Sequence, residues 1–292
     1  MKKVLLSLLV LISVLLVVSY TFGWGFWAHK EIHRYAIQSL PPEMRNFFGA
    51  MADSIIARSV DADRRRNFDK NEAPYHYIDI DRYGTYPFAE LPRNYDEAVK
   101  KFGKERVDTN GTVPWRIASL TERLSDAMKR KDRKSTIFHI VNLGHYIADA
   151  HVPLHSTENY DGKMTNQPGL HARWESQLPE RFGSSYRFAP SNVEYISDPL
   201  ATAFAIILES YERVDSVLQL DLKAKEGIPE SELVTTKQER GRTVYIYSDK
   251  YYDRYNSLLK GMVERRTKDS VKRVASYWYT AWVNAGKPDL LN

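Results

Sequence analysis

The chain has 292 residues, which is enough for one large domain or two small ones. It contains no cysteine, which excludes disulfide bonds, thiolate metal ligands and a cysteine nucleophile. Lysine and arginine total 42 against 37 aspartates and glutamates, and this small positive excess favours anionic substrates only weakly.

Residues 1–23 have the pattern of a signal peptide. Two lysines give a positive start, and an apolar run follows from Val4 to Val18. That run is shorter than the roughly 20 apolar residues of a membrane-spanning helix, so anchoring is the weaker interpretation. We predict cleavage after Gly23, which gives an exported protein, periplasmic or secreted, whose mature chain begins at Trp24. Cleavage a few residues earlier is the alternative.

Most of the remaining chain has the amphipathic spacing of helices. The predicted helices cover residues 28–40, 43–57, 95–102, 113–130, 135–150, 171–178, 195–222 and 250–285. The stretches between them are rich in Pro, Gly and Asn and are predicted as loops, the longest being 58–83, 84–114 (around the short helix 95–102) and 156–170. No repeat, low-complexity tract or linker divides them. The sequence therefore predicts one all-α domain over residues 24–292, with long loops.

The segment from His145 to His155 carries the strongest chemical signal. His145 and Asp149 stand four residues apart and share one face of the predicted helix. A proline two residues before His155 cannot continue that helix, so the chain bends and His155 can return towards the same face. His171 and Glu175 repeat the four-residue step.

Four of the eight histidines, with His151 as the fourth, fall within these two short stretches. Imidazole nitrogens and carboxylate oxygens are donors that zinc binds in proteins. One His–Asp pair on a helix is usually a surface or capping pair, but this clustering favours a metal site. His151 lies outside the ligand spacing and is predicted to lie behind the ligands or at the surface.

Four separate stretches together resemble a known superfamily. They are the Trp24 start, an aspartate followed by a histidine–aromatic pair (Asp63, His76, Tyr77), the core from His145 to His155, and the final His171–Glu175 pair. In this order they resemble the zinc-dependent phospholipase C and single-strand-specific nuclease superfamily. The resemblance covers roughly residues 24–175 and implies a multi-helix fold whose long loops surround a cleft with three zinc ions.

The resemblance also implies which side chains hold these ions. One ion would be held by Asp63, His76, His145 and Asp149. A second would be held by His155, His171 and Glu175. The third would be held by the amine and carbonyl of Trp24, by His29, and by Asp149 as a bridge.

Two of these ligand positions have alternatives. Asp61 is the alternative to Asp63, because an aspartate stands where the family usually has an apolar residue before Ala-Asp. His33 is the alternative to His29, because the distance from the tryptophan to the helical histidine differs between the two branches. We prefer His29, whose spacing is nuclease-like.

Other residues are candidates for contact with the substrate. Asp63 is a candidate acceptor for the proton of the attacking water. Arg66 matches a phosphate-contacting arginine of the nuclease branch, with a solvated basic run as the alternative. Tyr77 is a candidate for stacking on a base or supporting a lipid headgroup, with core packing as the alternative. Asn159 is a candidate hydrogen-bond donor to the phosphate.

The implied function is an exported zinc-dependent phosphodiester hydrolase. We lean towards phospholipase C activity, because the final H-x-x-x-E and the Asn-Tyr-Asp-Gly loop look like that branch. The first alternative, favoured by the Trp24-to-His29 spacing, is a nuclease acting on single-stranded nucleic acid, both as an endonuclease and as a 3′-nucleotidase. The second alternative is a non-catalytic zinc-binding surface protein. Attack on a phospholipid headgroup would involve peripheral membrane contact, and no obligate protein partner is predicted.

Overall fold

A computed structural model describes residues 25–239 and 242–291, so the predicted signal segment and Trp24 lie outside the described residues. The helices are α1 Phe26–Ser39, α2 Pro42–Ala50, α3 Ala52–Arg58, α4 Asp61–Arg65, α5 Tyr95–Phe102, α6 Lys104–Thr109, α7 Val113–Lys129, α8 Arg133–Ala150, α9 Leu170–Ala172, α10 Leu178–Phe182, α11 Pro199–Tyr211, α12 Val214–Lys225, α13 Glu230–Leu233, α14 Asp249–Leu259 and α15 Met262–Asn284. Short 3-10 turns cover Ala73–Tyr75, Ile80–Tyr83, Pro153–Ser156, Lys163–Thr165 and Gly183–Ser185. A π-helical turn covers Arg173–Gln177, and the antiparallel strands β1 (Val234–Glu239) and β2 (Arg242–Tyr247) form a hairpin.

Helix α8 lies at the centre of the fold. Every residue from Ile140 to Ala150 is buried, which is the pattern of a helix surrounded on all sides. Helices α7, α15, α11, α3 and α4 all contact it. Because no face of this part of α8 meets water, its polar side chains are also buried and must find partners inside the protein.

Helix α8 approaches α1 and α15 so closely that position 144 requires glycine. A Cβ atom on Gly144 would lie 2.5 Å from Nε2 of His33 and 3.0 Å from Cζ2 of Trp278. The indole nitrogen of Trp278 donates a hydrogen bond of 3.1 Å to the carbonyl of Ile140, one turn earlier on α8. This packing holds the turn of α8 that carries His145 against the helix that carries His29.

Three helices begin at a side chain that caps the first turn. Asn94, Asp132 and Asp198 each accept a hydrogen bond of 2.9 to 3.1 Å from the backbone N–H three residues further along. Such caps satisfy amide groups that have no partner within the helix. They set the starts of α5, α8 and α11.

Three of the predicted long helices are divided in the structure. Residues 43–57 form α2 and α3, which separate at Met51, where φ is −106° and ψ is 4°. Residues 195–222 give α11 and α12, and residues 250–285 give α14 and α15. At the last break Lys260 and Gly261 adopt left-handed conformations, with φ of 49° and 76°. Apolar spacing continues across these breaks, so periodicity alone does not detect them.

Some short elements fall where loops were predicted. Helix α4 and two 3-10 turns lie within residues 58–83, α6 follows α5, and the β1–β2 hairpin was not predicted. The prediction of a single all-α domain is nevertheless confirmed, because one helical core accounts for nearly all the buried apolar residues described. Among the described residues, no helix combines the length and the apolar character needed to cross a bilayer.

Candidate metal centre

Eight buried side chains from separate segments meet near the C-terminal end of α8. They are His29 on α1, Asp63 on α4, His76 after the turn 73–75, His145 and Asp149 on α8, His155 on the turn 153–156, His171 on α9 and Glu175 on the π-helical turn. All are at most 6% exposed. They form a larger group around Asp149 and a smaller group around Glu175.

Asp149 joins the larger group. Its Oδ2 atom lies 2.8 Å from Nδ1 of His76 and 3.2 Å from Nε2 of His145. Its Oδ1 atom lies 3.4 Å from Nε2 of His29. Asp63 faces the same rings, with 3.7 Å between its Oδ1 and Nε2 of His145. The larger group contains two sets of three residues, and within each set the donor atoms lie within 4.8 Å of one another. The first set is His29, His145 and Asp149, and the second is Asp63, His76 and His145, so the two sets share His145.

Glu175 joins the smaller group. Its Oε2 atom lies 2.9 Å from Nε2 of His171 and 3.1 Å from Nε2 of His155. The three residues also have donor atoms within 4.8 Å of one another. His171 and Glu175 keep their four-residue spacing even though the chain widens into a π-helical turn at 173–177. Such turns occur often at functional sites.

Hydrogen bonds connect the two groups. Nδ1 of His155 donates to the carbonyl of His76 at 2.6 Å, and the amide of Ile78 donates to the carbonyl of His155 at 2.9 Å. The proline-led turn at 153–156 therefore bends the chain as expected, but it brings His155 to Glu175 and to the backbone of His76. The two groups share the segment around residues 76–78.

Backbone carbonyls orient two of the rings. Nδ1 of His145 donates to the carbonyl of Ser59 at 2.8 Å, as Nδ1 of His155 does to that of His76. The Nε2 atom of each ring is thereby directed at a carboxylate and is the atom available to a metal. Metal-binding histidines commonly have this arrangement, in which the second nitrogen donates to a carbonyl.

The unpaired atoms of the two groups fit a bound cation. Both ring nitrogens of His29 and of His171, together with Oδ1 of Asp149 and Oε1 of Glu175, are buried and make no hydrogen bond of good geometry among the described residues. The Nε2 atoms of these two rings only face the carboxylate oxygens named above. Buried polar atoms normally have partners, and leaving them unpaired is costly. Nitrogen and carboxylate oxygen donors in groups of three are what divalent zinc binds. The two groups thus contain three sets of three residues that are each able to hold a metal ion.

The charges of the larger group favour a positive centre. Burial lowers the pKa of His29, and the neighbouring His145 lowers it further, with the two rings stacked at 4.0 Å. Burial opposes protonation of His145, but Asp149 and Asp63 raise its pKa to about 9. Burial would also raise the pKa of Asp149, but His145 and His155 hold it well below its usual range. The Asp149 carboxylate therefore stays ionised and attracts a cation.

The structure separates the two pairs of alternative ligands. His33 lies beside α8, and its ring nitrogens face the carbonyls of His29 and Val141 at 2.8 and 3.3 Å. Burial, followed by the effect of His29, lowers the pKa of His33 to about 3. Asp61 is partly exposed and pairs with Arg58 and Arg64, whereas Asp63 is buried in the larger group. His29 and Asp63 are thus the members of each pair that join the cluster.

A polar network behind His76 was not predicted. Glu72 lies 3.5 Å from Nε2 of His76 and accepts hydrogen bonds from Arg65 and from the Tyr146 hydroxyl. Burial opposes ionisation of Glu72, but hydrogen bonds from His76, Arg65 and Tyr146 lower its pKa to about 2. The four-residue step from Glu72 to His76 is the signal that would have revealed it.

A cavity of about 200 Å³ opens onto the two groups and is called the mouth below. Its lining contains the predicted substrate residues Arg66 and Tyr77, the aromatic Tyr160, and the imidazoles of His76 and His171. The Tyr160 ring lies 5.7 Å from that of His171 and is 43% exposed. Tyr160 was not predicted as a site residue, although it belongs to the Asn-Tyr-Asp-Gly loop that resembles the phospholipase C branch.

Asn159 lies beside the mouth but its side chain bonds to its own loop. Its Oδ1 accepts from the amide of Met164 at 2.9 Å, and its Nδ2 donates to the Thr165 hydroxyl at 3.1 Å. Phosphate contact by Asn159 stays a prediction.

His151 is fully buried at the end of α8, where its Nδ1 donates to the carbonyl of Ile147.

Comparison with known proteins agrees with this geometry. Among solved structures, the fold is similar to that of alpha-toxin from Clostridium perfringens, isolated from avian strain SWCP, with a TM-score of 0.50 and 12% sequence identity. The similar region covers 92% of this chain and 66% of the toxin chain, and at this identity the likeness is one of fold. The comparison with curated protein sequences found no match.

A sequence model of the family described as S1/P1 Nuclease matches residues 24–277. This match and the structural likeness confirm the superfamily resemblance and the predicted fold. Because the match spans most of the chain, the protein belongs to the S1/P1 nuclease family.

Proposed function

We propose that this protein is an exported zinc-dependent nuclease that hydrolyses the phosphodiester bonds of single-stranded nucleic acid. The proposal rests on the composition of the mouth, where two tyrosines and an arginine lie beside the metal-binding groups: Tyr77, Tyr160 and Arg66. Stacking on an aromatic ring contributes about 1–3 kcal/mol per base, and a guanidinium suits a phosphate. Membership of the S1/P1 nuclease family supports the same substrate.

The ligand sets are proposed as the sequence resemblance implies. Asp63, His76, His145 and Asp149 would hold one zinc ion, and His155, His171 and Glu175 a second. His29 and Asp149 would hold a third together with Trp24. Bound zinc supplies a Lewis acid that offsets phosphate charge and makes hydroxide available near neutral pH.

The remaining chemistry is assigned to Asp63 and to two side chains at the mouth. The buried Asp63 carboxylate, beside His145 and His76, would accept the proton of the attacking water. Arg66 would contact a phosphate oxygen. Tyr77 would hold the base next to the scissile bond, since its ring is fixed by a hydrogen bond of 2.9 Å from its hydroxyl to the Thr109 carbonyl.

Export and trimming are part of the proposal. The amide of Gly25 donates to the carbonyl of Glu175 at 3.0 Å, so the chain enters the fold beside the smaller metal-binding group. Removal of residues 1–23 would give Trp24, the residue before Gly25 in the chain, a free amine that would serve as a ligand. The mass of the exported protein tests this directly, and a mature chain that begins at any other residue would contradict it.

A phospholipase C activity is the second candidate, and an exposed apolar surface favours it. Phe68 is 78% exposed and stands two residues after the mouth residue Arg66, while Met164 is 69% exposed and stands four residues after the mouth residue Tyr160. Exposed apolar side chains at the rim of a cleft suit contact with a lipid surface.

One experiment compares the two candidates. Purified mature protein is given single-stranded DNA or a phosphatidylcholine emulsion, each with and without a chelator. We expect chelator-sensitive cleavage of the DNA. Hydrolysis of the lipid alone would transfer the assignment to phospholipase C. Hydrolysis of neither would favour a zinc-binding protein without catalysis.

A further inference from the structure

A second groove, of about 680 Å³, adjoins the segment that lines the mouth. We call it the side groove. Its lining contains three aromatic rings and three cationic side chains: Tyr75, Tyr95, Trp115, Lys70, Lys104 and Arg116. Residues 66–77 contribute to both cavities, with Arg66, Ala73, His76 and Tyr77 lining the mouth and Lys70 and Tyr75 among those lining the side groove. The two cavities are therefore neighbours along one short stretch of chain.

Arg116 has an unusual position in the side groove. Its guanidinium lies over the Tyr75 ring at 4.1 Å and over the Tyr146 ring at 5.6 Å. Its Nε is buried without a hydrogen-bond partner, and the guanidinium forms no ion pair with any carboxylate of the described residues. A stacked guanidinium whose donors are not used by a carboxylate can bind a phosphate or stack on a base.

The charges of the side groove favour an anion. Asp108 is matched by Lys104, with which it forms an ion pair, and it also accepts a hydrogen bond of 2.6 Å from the Tyr95 hydroxyl. Lys70 is exposed and forms no ion pair with another described residue. Lys70 and Arg116 therefore face a single further carboxylate, that of Asp69, and the groove keeps a positive excess.

Aromatic rings interleaved with cations match the chemistry of a single-stranded polynucleotide. Successive bases stack on rings while the backbone follows the positive charges. Tyr75 and Tyr95 are the partly exposed rings. Trp115 is only 9% exposed and supports Tyr95 edge to face, with ring centroids 5.5 Å apart and its indole fixed by a hydrogen bond of 2.6 Å to the Arg93 carbonyl. A single phospholipid headgroup has one phosphate and no base, so it would not occupy both cavities.

We infer that the side groove binds nucleotides of the substrate strand that lie beyond those in the mouth. This inference rests on the proposed nuclease function. Binding in the side groove makes the enzyme prefer strands that are long enough to occupy both cavities over substrates that fill the mouth alone. The side groove then contributes to substrate affinity without touching the bond that is cleaved.

The test compares a single-stranded DNA decamer with a dinucleoside phosphate as substrates. The Lys70→Gln/Lys104→Gln variant removes two exposed charges of the side groove. We expect kcat/KM for the decamer to fall by about fivefold or more, with kcat/KM for the dinucleoside phosphate unchanged. The dependence of log kcat/KM on log salt should also become shallower by roughly 0.7 for each lysine that contacts a phosphate.

The matched control is Lys223→Gln/Lys250→Gln. It also removes one lysine without an ion pair and one paired lysine, Lys250 with Glu232 at 2.8 Å, and neither lines the side groove. We expect both of its kcat/KM values to match wild type. Arg116→Gln is a second variant, assayed with its zinc content so that any damage next to His76 is detected.

The outcomes separate the two proposals. Equal decamer activity in wild type and the Lys70→Gln/Lys104→Gln variant, with dinucleoside cleavage intact, would overturn the side-groove inference and leave the nuclease function in place. An equal loss in the matched control would also overturn it, because the effect would then reflect net charge. Wild-type protein that cleaves neither nucleic acid would overturn the nuclease function and the inference together.

Discussion

Asp61 and Asp63 stand two positions apart in opposite environments. The Asp63 side chain is buried among three imidazoles, whereas that of Asp61 is 26% exposed and pairs with arginines on the surface. On a short helix, two residues of separation turns a side chain to another face, so only one of them can point into the cluster. Sequence spacing could not decide which of the two aspartates is the ligand, because it does not show which face of α4 meets α8.

Substitution at these two positions should have unequal effects. We expect Asp63→Asn to reduce bound zinc and nuclease activity severely, because the group loses a carboxylate whose two oxygens face three imidazoles. Asp61→Asn is the matched control. It removes only surface ion pairs, which contribute about 0–1 kcal/mol, and should leave activity within about twofold. Zinc analysis and cleavage rates measure both, and an equal loss in the two variants would contradict the assignment.

Asp79, near the mouth, should make stability depend on pH. Burial raises the pKa of Asp79 to about 7, and the charges of Asp81 and Glu158 act in the same direction. In the unfolded chain this carboxyl ionises near pH 4. The folded protein therefore keeps a proton that the unfolded chain has lost between about pH 4 and 7. The contribution of Asp79 to stability falls as pH rises through that range.

The Asp79→Asn variant removes this titration. We expect the difference in Tm between variant and wild type to move in favour of the variant as pH is raised from about 4.5 to 8. Thermal unfolding at a series of pH values measures it. A Tm difference that does not change with pH would show that Asp79 has an ordinary pKa.

At the level of elements, α8 was the most predictable part of the chain. Its length, its His145–Asp149 pair and the proline-led turn after it all follow from local chemistry, and the structure contains each of them. The breaks at Met51 and Lys260 were not predictable, because the apolar stripe continues on both sides of them. The periodicity of α1 did not show which of its sides meets α8, so the preference for His29 over His33 rested on the family resemblance alone.

The contact between α8 and α1 can be tested at its narrowest point. Gly144→Ala would place a methyl group 2.5 Å from the His33 ring, so we expect a loss of about 1–3 kcal/mol in the free energy of unfolding. Gly49→Ala on α2 is the control, because no atom lies within 4 Å of its added Cβ. Alanine there should be neutral or stabilise by up to about 1 kcal/mol. Urea denaturation measures both, and equal effects would contradict the close packing.

At the scale of the whole molecule, the metal centre joins segments that are distant in sequence. Its residues come from α1, α4, α8, α9 and the turns between them. The sequence predicted that all these segments meet only through the family resemblance. The polar network behind His76 and the side groove were not foreseen, because each combines residues from separate loops and helices whose packing has no local signature.

Removal of metal should therefore weaken the whole fold. Without a cation, the buried carboxylates of Asp63, Asp149 and Glu175 lie in the interior with no metal ion to offset their charge. A ligand present at about 1,000 times its Kd stabilises the folded state by about 4 kcal/mol. We expect a chelator to lower the Tm clearly, zinc to restore it, and magnesium, which prefers oxygen donors, to fail. An unchanged Tm after zinc loss confirmed by elemental analysis would contradict a role of the metal in stability.

The reciprocal hydrogen bonds between residues 76–78 and His155 have a consequence for how the metal centre fills. The same few backbone atoms support donors of both groups. An ion that immobilises one group pre-organises part of the other, so the second ion meets a smaller entropic penalty. Uptake should then be cooperative, with partly loaded protein scarce and the apo and fully charged forms dominating a zinc titration.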